Sequence, residues 1–427
     1  MGFELPVVSA VMARLRHPEI HLAAYGGIVF PLALLIEAPV IMLLAASTAL
    51  SRNWDSYLCL RRFMLQLAGI LTVLHILAAF TPLYDLVAVD VLGVPEQILE
   101  PGRMGLMLMT PWTASIAIRR FQQGVLIRSG WTRIIGLGTT IRLLTNMSVL
   151  FIGLAIGTLP GIVVGTAGIS LGVISEAIFI HIQVQPLLKT MRTNRIQTEQ
   201  VMTLNELLTF YIPLAMTPLV ALSALPIGSA SMSRMPNPMD SLAVWPVLMG
   251  LVFILRSVGI AYQEVVVALL EHPDGLRMLW RFAMIVGAST TSLLIIIAAT
   301  PLARMWFSMI GGLSPTLTNL GSQAIWLTIF LPALGVIESV FHGILVQGKH
   351  TKGVTEGVLV YLVTYSGCVV TGAYYGQITG LYVSLGGMIL GLIFQALWLW
   401  RKCLIVAQPS FTPSVPLKAS PSKCSLM

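Results

Sequence analysis

The feature that most constrains the fold is an internal repeat, because residues 5–23 reappear at residues 225–243 with nine identities in nineteen ungapped pairs. The spacing of 220 residues still holds at Arg61 and Arg281, and it shortens only to 215 further along the chain. A nearly constant offset over almost half of the sequence indicates two copies of one folding unit.

The composition is that of a membrane protein. Hydrophobic residues make up 56% of the chain and charged residues 10%, whereas a soluble domain carries about 25% charged residues. Apolar runs of about 20 residues recur, each long enough to cross the hydrocarbon core as a helix. The runs lack the alternation of a β-barrel strand. We therefore predict an all-α integral membrane protein.

The apolar runs and the repeat predict two pseudo-symmetric six-helix lobes, at 1–187 and 206–402. A basic cytoplasmic link at 188–205 joins them, and the tail 403–427 is rich in Ser, Pro and Lys and is expected to be disordered. The twelve transmembrane helices are predicted near 1–15, 22–50, 61–84, 103–127, 133–158, 161–187, 206–231, 241–270, 281–309, 322–346, 353–375 and 377–401.

The first helix is expected to be incomplete. Helix 7 is predicted to begin near Glu206, so the repeat would place the start of its partner about fourteen residues before Met1. Helix 1 as written is too short to span a bilayer. We interpret this as a late start or a truncated gene rather than a cleaved signal peptide, because residues 1–15 match a mature helix.

Positive charge predicts the orientation. Loops on one side carry sixteen Lys and Arg residues and loops on the other carry four, so both termini are expected to be cytoplasmic. The net charge of +8 is explained by inner loops beside anionic lipid rather than by nucleic acid. The predicted location is the plasma membrane, the inner membrane in a bacterium.

Several short motifs accompany this architecture. Leu22-Ala23-Ala24 follows the first helix, and helix 7 carries Phe210, Pro213-Leu214-Ala215, Pro226-Ile227 and Ser233-Arg234. In these features the chain resembles the multidrug and toxin extrusion (MATE) transporters and their flippase superfamily, with the progressive ankylosis protein group as a similar branch. The resemblance implies export by two lobes that rock about a central cavity. Ala10 stands where many drug antiporters of this family carry an aspartate.

Ionisable residues inside the spans are the candidates for function, since a charge at the bilayer centre costs at least ~3 kcal/mol. They are Glu4, Glu37, Glu176, Glu264, Glu338, Arg119, Arg120, Arg142 and Arg256.

Glu37 and Arg256 are the first candidate pair. The repeat aligns Arg256 with Ile36, so the two charges are expected at similar depth in helices 2 and 8. The resemblance implies that these helices face each other across the cavity. The pair would bind substrate or coupling ion, or form a latch; alternatively, it is a static ion pair or its members never meet. Pro31 and Pro39 flank Glu37 and are expected to bend helix 2.

Arg119 and Glu338 form the second candidate pair, because the offset of 219 makes them equivalent. Together with Arg120 they are candidates for a cytoplasmic gate. The alternative is that the side chains of Arg119 and Arg120 extend to the inner membrane surface and form no gate. Glu264 is a candidate for the lower cavity. Glu4 is a candidate replacement for the acid absent at position 10.

The sequence thus predicts a secondary transporter that exports a small organic solute, an efflux antiporter by resemblance. A flippase for a lipid-linked intermediate and a non-transporting scaffold are the alternatives. We expect no cofactor beyond a coupling H+ or Na+, no nucleic-acid partner and a monomer in the lipid bilayer. His75, His181 and His342 lack metal-ligand spacing and are interpreted as packing residues. Motifs of a phosphate loop or a nucleophile elbow are absent, so no enzyme is predicted.

Overall fold

The computed structural model describes residues 4–193, 203–270, 272, 274–348 and 350–407. These residues form helices and no strand. The twelve main helical stretches are α1 Glu4–Met12, α2 Pro18–Leu50, α3 Trp54–Phe80, α4 Leu99–Arg128, α5 Thr132–Ile156, α6 Gly161–Thr193, α7 Leu204–Ser233, α8 Pro238–Leu269, α9 Gly275–Ala299, α10 Pro315–Gln347, α11 Thr351–Tyr375 and α12 Gly380–Ala407.

Ten of these stretches are long and apolar enough to cross a membrane. The two others are α1, which has nine residues, and α4, whose arginines and amides lower its hydropathy. Large apolar side chains such as Ile70, Leu144 and Met284 are exposed along the outer helices, as contact with lipid requires. The chain is therefore an all-α integral membrane protein, as its composition predicts.

The helix boundaries differ most from the predicted ones in five helices. One of them is α10, which begins at Pro315 and not near 322. Helices α3 and α9 begin six or seven residues earlier than predicted and end earlier, at Phe80 and Ala299. Each is followed by a Thr-Pro step, which ends a helix because proline disfavours helical backbone in the residue before it. Helix α6 continues to Thr193, into the predicted link, and α12 continues to Ala407, into the predicted tail. The rest of the tail and residues 194–202 of the link lie outside the described residues.

The backbone shows the repeat in its left-handed positions. His17 and Asn237, which are 220 residues apart, have φ of 51° and 53°, and each precedes a proline that opens a helix. Gly93 and Gly312 have φ of 63° and 61° in equivalent connections before α4 and α10. Equivalent segments of the two copies therefore turn the chain in the same way.

The helices pack into one large core that draws on both copies. Helix α4 packs mainly on α2, α6 and α3. Helix α5 packs on α6, α8 on α10, and α11 on α12. Contacts between the copies come from α2 with α7, from the first turns of α2 with α8, and from α1 with α8. Among the described residues, the extensive contacts of α2 with α8 are confined to Pro18–Val29.

Candidate functional site

A buried network of charged side chains lies inside the first copy. Arg119 of α4 donates to Glu176 of α6 over 3.1 Å, and both side chains are nearly inaccessible, at 2% and 0% exposure. Gln123 donates to the other oxygen of Glu176 at 3.0 Å. Arg142 of α5 lies 3.7 Å from Glu176. Glu176 thus holds two arginines in a region closed to water.

Glu4 extends this network to the first helix. Its carboxylate accepts two hydrogen bonds from Arg142, one of them from Nε at 3.1 Å. Asn146, one turn after Arg142 on α5, donates a hydrogen bond to the same Glu4 carboxylate at 3.1 Å. A fork-to-fork pair of this kind is among the strong charge-assisted contacts. The network therefore links α1, α5, α6 and α4.

Glycines let the backbones approach closely enough for these bonds. A Cβ on Gly172 of α6 would lie 3.1 Å from the carbonyl oxygen of Arg142, and one on Gly168 would lie 2.7 Å from Asn146 Oδ1. Small residues at helix crossings bring polar side chains of neighbouring helices within reach. The sequence thus builds the network through the α5–α6 contact.

Glu37 lies next to this network, and one of its carboxylate oxygens has no hydrogen bond among the described residues. Its side chain is buried, its Oε2 atom has no partner among the described residues, and it interacts electrostatically with Arg119, Arg120 and Arg142. Arg120 is partly buried, and its Nε likewise has no partner there. With every group ionised, three glutamates (4, 37 and 176) balance three arginines (119, 120 and 142), so the net charge is zero.

A smaller charged group lies in the second copy. Arg256 of α8 approaches Glu338 of α10 to 3.8 Å, and Glu338 accepts from Gln395 of α12 at 2.9 Å. His342 lies 3.9 Å from Glu338. The side chains of Arg256 and Glu338 are 17% and 22% exposed, so this group is more open than the first.

The structure regroups the two candidate pairs. Arg256 pairs with Glu338 and not with Glu37, which lies among the arginines of the first copy. Arg119 pairs with Glu176, so the contact between Arg119 and Glu338 is not formed. Arg119 is buried and does not extend to the surface.

Glu4 belongs to the network, and its role as a replacement for the acid absent at position 10 stays a prediction. Glu264 is exposed on α8 and has no ion pair among the described residues. Gln123, Asn146 and Gln395 were missed by the sequence interpretation. The sequence did contain a signal for two of them. Gln123 and Asn146 each stand four residues after an arginine of an apolar span, on the same face of a helix.

Helix α2 is irregular on both sides of Glu37, and hydroxyls of α7 bind it at both places. A π-helical turn covers Tyr25–Val29, and because Pro31 has no N–H, Gly27 O lacks its usual helical donor. Ser229 donates to that oxygen. Next to a second interruption at Met42, Tyr211 donates to Pro39 O. Both predicted prolines therefore lie where α2 of one copy is bound by α7 of the other.

Two equivalent arginines also connect the copies. Arg14 donates to Ile310 O at 2.8 Å and to Met309 O, both in the connection between α9 and α10. Arg234, 220 residues later, donates to Val91 O at 2.8 Å, with further bonds to the two neighbouring carbonyls in the α3–α4 connection. We call this reciprocal arrangement the arginine clasps, Arg14 on 309–310 and Arg234 on 90–92.

Solved structures with the same fold are transporters and a flippase. The inward-facing conformation of a multidrug resistance MATE family transporter of the MOP superfamily aligns with a TM-score of 0.76 and 13% identity, covering 96% of both chains. The lipid II flippase MurJ in its inward closed conformation aligns with a TM-score of 0.68 and 15% identity. The alignment covers 96% of this chain and 88% of the flippase. An outward-facing conformation of a multidrug resistance MATE family transporter aligns with a TM-score of 0.61 and 14% identity. The alignment covers 95% of this chain and 96% of that transporter.

Neither a protein-family model nor a curated protein sequence matches the chain. At these identities the alignments establish the fold. The chain has the fold of the MATE transporters of the MOP superfamily, which confirms the predicted resemblance.

Proposed function

We propose that the protein is a secondary transporter that exports a small organic solute, driven by H+ or Na+. Twelve membrane-crossing helices would form two six-helix lobes, 1–187 and 206–402, that alternate between inward-open and outward-open arrangements. The observation that carries the proposal is the buried network of the first copy with Glu37 beside it. Such groups inside a membrane are costly and usually belong to an ion or substrate pathway.

Glu37 is the proposed site of ion coupling. Glu37 is the acid of this group whose buried Oε2 atom has no hydrogen-bond donor in the described part of the chain. Binding of H+ or Na+ to Glu37 would change the net charge of the six groups from zero to +1. A change of this size in a medium of low dielectric alters the interactions of all neighbouring charges.

The irregular helix α2 offers a path from Glu37 to the second copy. Glu37 lies between the two carbonyls that Ser229 and Tyr211 of α7 bind. A shift of α2 on ion binding would therefore change contacts of α7 directly. Arg256 and Glu338, more open to water, are the proposed substrate contacts, with Arg256 favouring an anionic group.

The test is transport in proteoliposomes containing the purified chain. Efflux of citrate, a nucleotide and a cationic dye would be measured with and without an imposed proton or sodium gradient. We expect Glu37→Gln to abolish the gradient dependence, and Glu356→Gln to behave as wild type because Glu356 pairs with Lys402 at the surface. Unchanged gradient dependence in Glu37→Gln would refute the coupling role. Loss of anion efflux alone in Arg256→Gln would identify an anion exporter.

A flippase for a lipid-linked intermediate is the second candidate, favoured by the alignment with MurJ over 96% of the chain. It predicts that liposomes with the protein move a lipid-linked headgroup between leaflets. Efflux of none of the three solutes together with such movement would replace the first proposal by this one.

Location and assembly are part of the same proposal. The basic loops favour the plasma or bacterial inner membrane with both termini in the cytoplasm. We propose a monomer whose partners are its solute and the surrounding lipid. Reporter fusions at the C-terminus test the orientation, and size measurement in detergent tests the monomer.

A further inference from the structure

A pocket of about 340 Å³ lies between α3, α4 and α6, at the end where α6 runs toward the link between the copies. Its apolar wall is aromatic. Trp54 and Tyr57 stack with ring centroids 5.3 Å apart, and Tyr57 meets Phe121 at 5.4 Å. Every lining residue lies on α3, α4 or α6, including the part of α6 that continues into the predicted link.

The opening of the pocket is strongly basic. Arg61 of α3 and Lys189 and Arg192 of α6 line it, and all three are exposed. No Asp or Glu is among the lining residues, and none of the three cations has a carboxylate partner within the described chain. Three cations that line one cavity favour binding of an anion.

Amide side chains supply a second, independent sign of a ligand. Gln122 Nε2 lies 2.7 Å from His181 Nδ1, and Gln185 Nε2 lies 3.2 Å from His181 Nε2. The Oε1 atom of Gln122 is buried and has no partner in the described structure. A neutral imidazole accepts at only one ring nitrogen. Turning the Gln122 amide to accept from Nδ1–H would leave its NH₂ group as the unpaired one instead.

In either orientation one buried polar group of Gln122, a residue that lines the pocket, is left for a ligand to satisfy. An unmet buried group of this kind costs about 1–3 kcal/mol. A phosphate group supplies acceptor oxygens for an NH₂ group. A hydroxyl group on the molecule that carries the phosphate would supply a donor for an amide oxygen.

We propose that this pocket binds a phosphate-bearing ligand that reaches it from the cytoplasmic side. Arg61, Lys189 and Arg192 bind the phosphate, Gln122 contacts it or its carrier, and the Trp54–Tyr57 stack packs against the remainder. A phospholipid headgroup and a soluble phosphate compound share this chemistry. His181 lies five residues, about 7.5 Å of helix, from Glu176. A ligand here would thus bind the same two helices that hold the Arg119–Glu176 pair.

The experiment uses the full chain in two arms. In the first, protein in neutral phosphatidylcholine nanodiscs is titrated with inorganic pyrophosphate while tryptophan fluorescence is recorded. In the second, pyrophosphate is omitted and the share of phosphatidylglycerol in the nanodiscs is raised stepwise. Because the chain has nine tryptophans, the signal is assigned by its loss in Trp54→Phe.

We expect a saturable response in at least one arm, and the arm that responds identifies the source of the phosphate. Arg61→Gln, and Lys189→Gln with Arg192→Gln, should weaken binding about tenfold or more, as loss of a charge-assisted bond does. Arg62→Gln is the matched control, because Arg62 is equally exposed on α3 but does not line the pocket. Absence of saturable binding in both arms, or equal weakening by Arg62→Gln, would overturn the proposal.

Discussion

Glu176 is the residue on which the buried charges of the first copy depend most, because it faces both Arg119 and Arg142. Its replacement by Gln would leave the buried Arg119 without its carboxylate partner, whereas Arg142 would keep Glu4. Removing one partner of a buried ion pair destabilises a protein by about 3–5 kcal/mol. We therefore expect Glu176→Gln to lower the thermal unfolding midpoint of the detergent-purified protein clearly.

Glu356→Gln is the control for this prediction. Glu356 contacts Lys402 at 2.6 Å, but its side chain is 41% exposed, and surface pairs are worth about 0–1 kcal/mol. The double variant Arg119→Met with Glu176→Gln should be less destabilised than Glu176→Gln alone, since one uncompensated charge is removed. Equal midpoints for Glu176→Gln and Glu356→Gln would contradict the structural role assigned to the buried network.

The sequence identified most of the charged residues of the site but not their partners. A charge inside an apolar run is visible in the sequence, so Glu4, Glu37 and Arg119 were predicted as candidates. Which charges meet depends on how the helices cross. Glu37 and Arg256 have similar positions in α2 and α8. However, α2 contacts α8 mainly through Pro18–Val29, a segment that ends before Glu37.

At the level of elements, α2 and α7 form the contact that we expect to be most sensitive to single hydroxyl groups. Ser229→Ala would leave Gly27 O, and Tyr211→Phe would leave Pro39 O, without the donor from α7. An unmet carbonyl costs about 1–3 kcal/mol when it is buried, as at Gly27, and less at the half-buried Pro39. Both variants should therefore unfold at lower temperature than wild type in a thermal scan.

Ser223→Ala is the control for these two variants, because it removes a hydroxyl group from α7 without removing a bond to α2. Ser223 donates at 2.7 Å to Val220 O, within its own helix and away from α2. Its replacement should change the unfolding temperature little. If Ser223→Ala destabilises as much as Ser229→Ala, the contact between the helices is not the cause.

The elements themselves were largely predictable, because apolar runs of membrane length have few alternatives to a helix. The errors have local causes. Charged turns such as those with Asp55 and Arg277 belong to α3 and α9 although they lie outside the apolar run, and the Thr-Pro steps end these helices early. The π-helical turn of α2 was not predictable, since it depends on the contact of Gly26 with α8, where a Cβ would lie 2.8 Å from Leu242 O.

At the scale of the whole molecule, the arginine clasps stabilise one arrangement of the two copies. They bind carbonyls at the ends of short helical turns, where a cation is favourable. If each clasp contributes about 1.5–3 kcal/mol, its loss shifts a two-state equilibrium at least about tenfold.

Spin labels across the clasped end would measure this shift. Gln97→Cys and Thr316→Cys, exposed and equivalent in the two copies, would be labelled after replacement of the native cysteines by Ser. We expect Arg14→Gln and Arg234→Gln each to increase the long-distance population, and the double variant to increase it further. Arg304→Gln removes an exposed arginine from the same end with no side-chain bond in the described structure, so its distances should match wild type. An unchanged distribution in the double variant would mean that the clasps do not hold this end closed, since both sets of bonds between the copies would then be lost without effect on their separation.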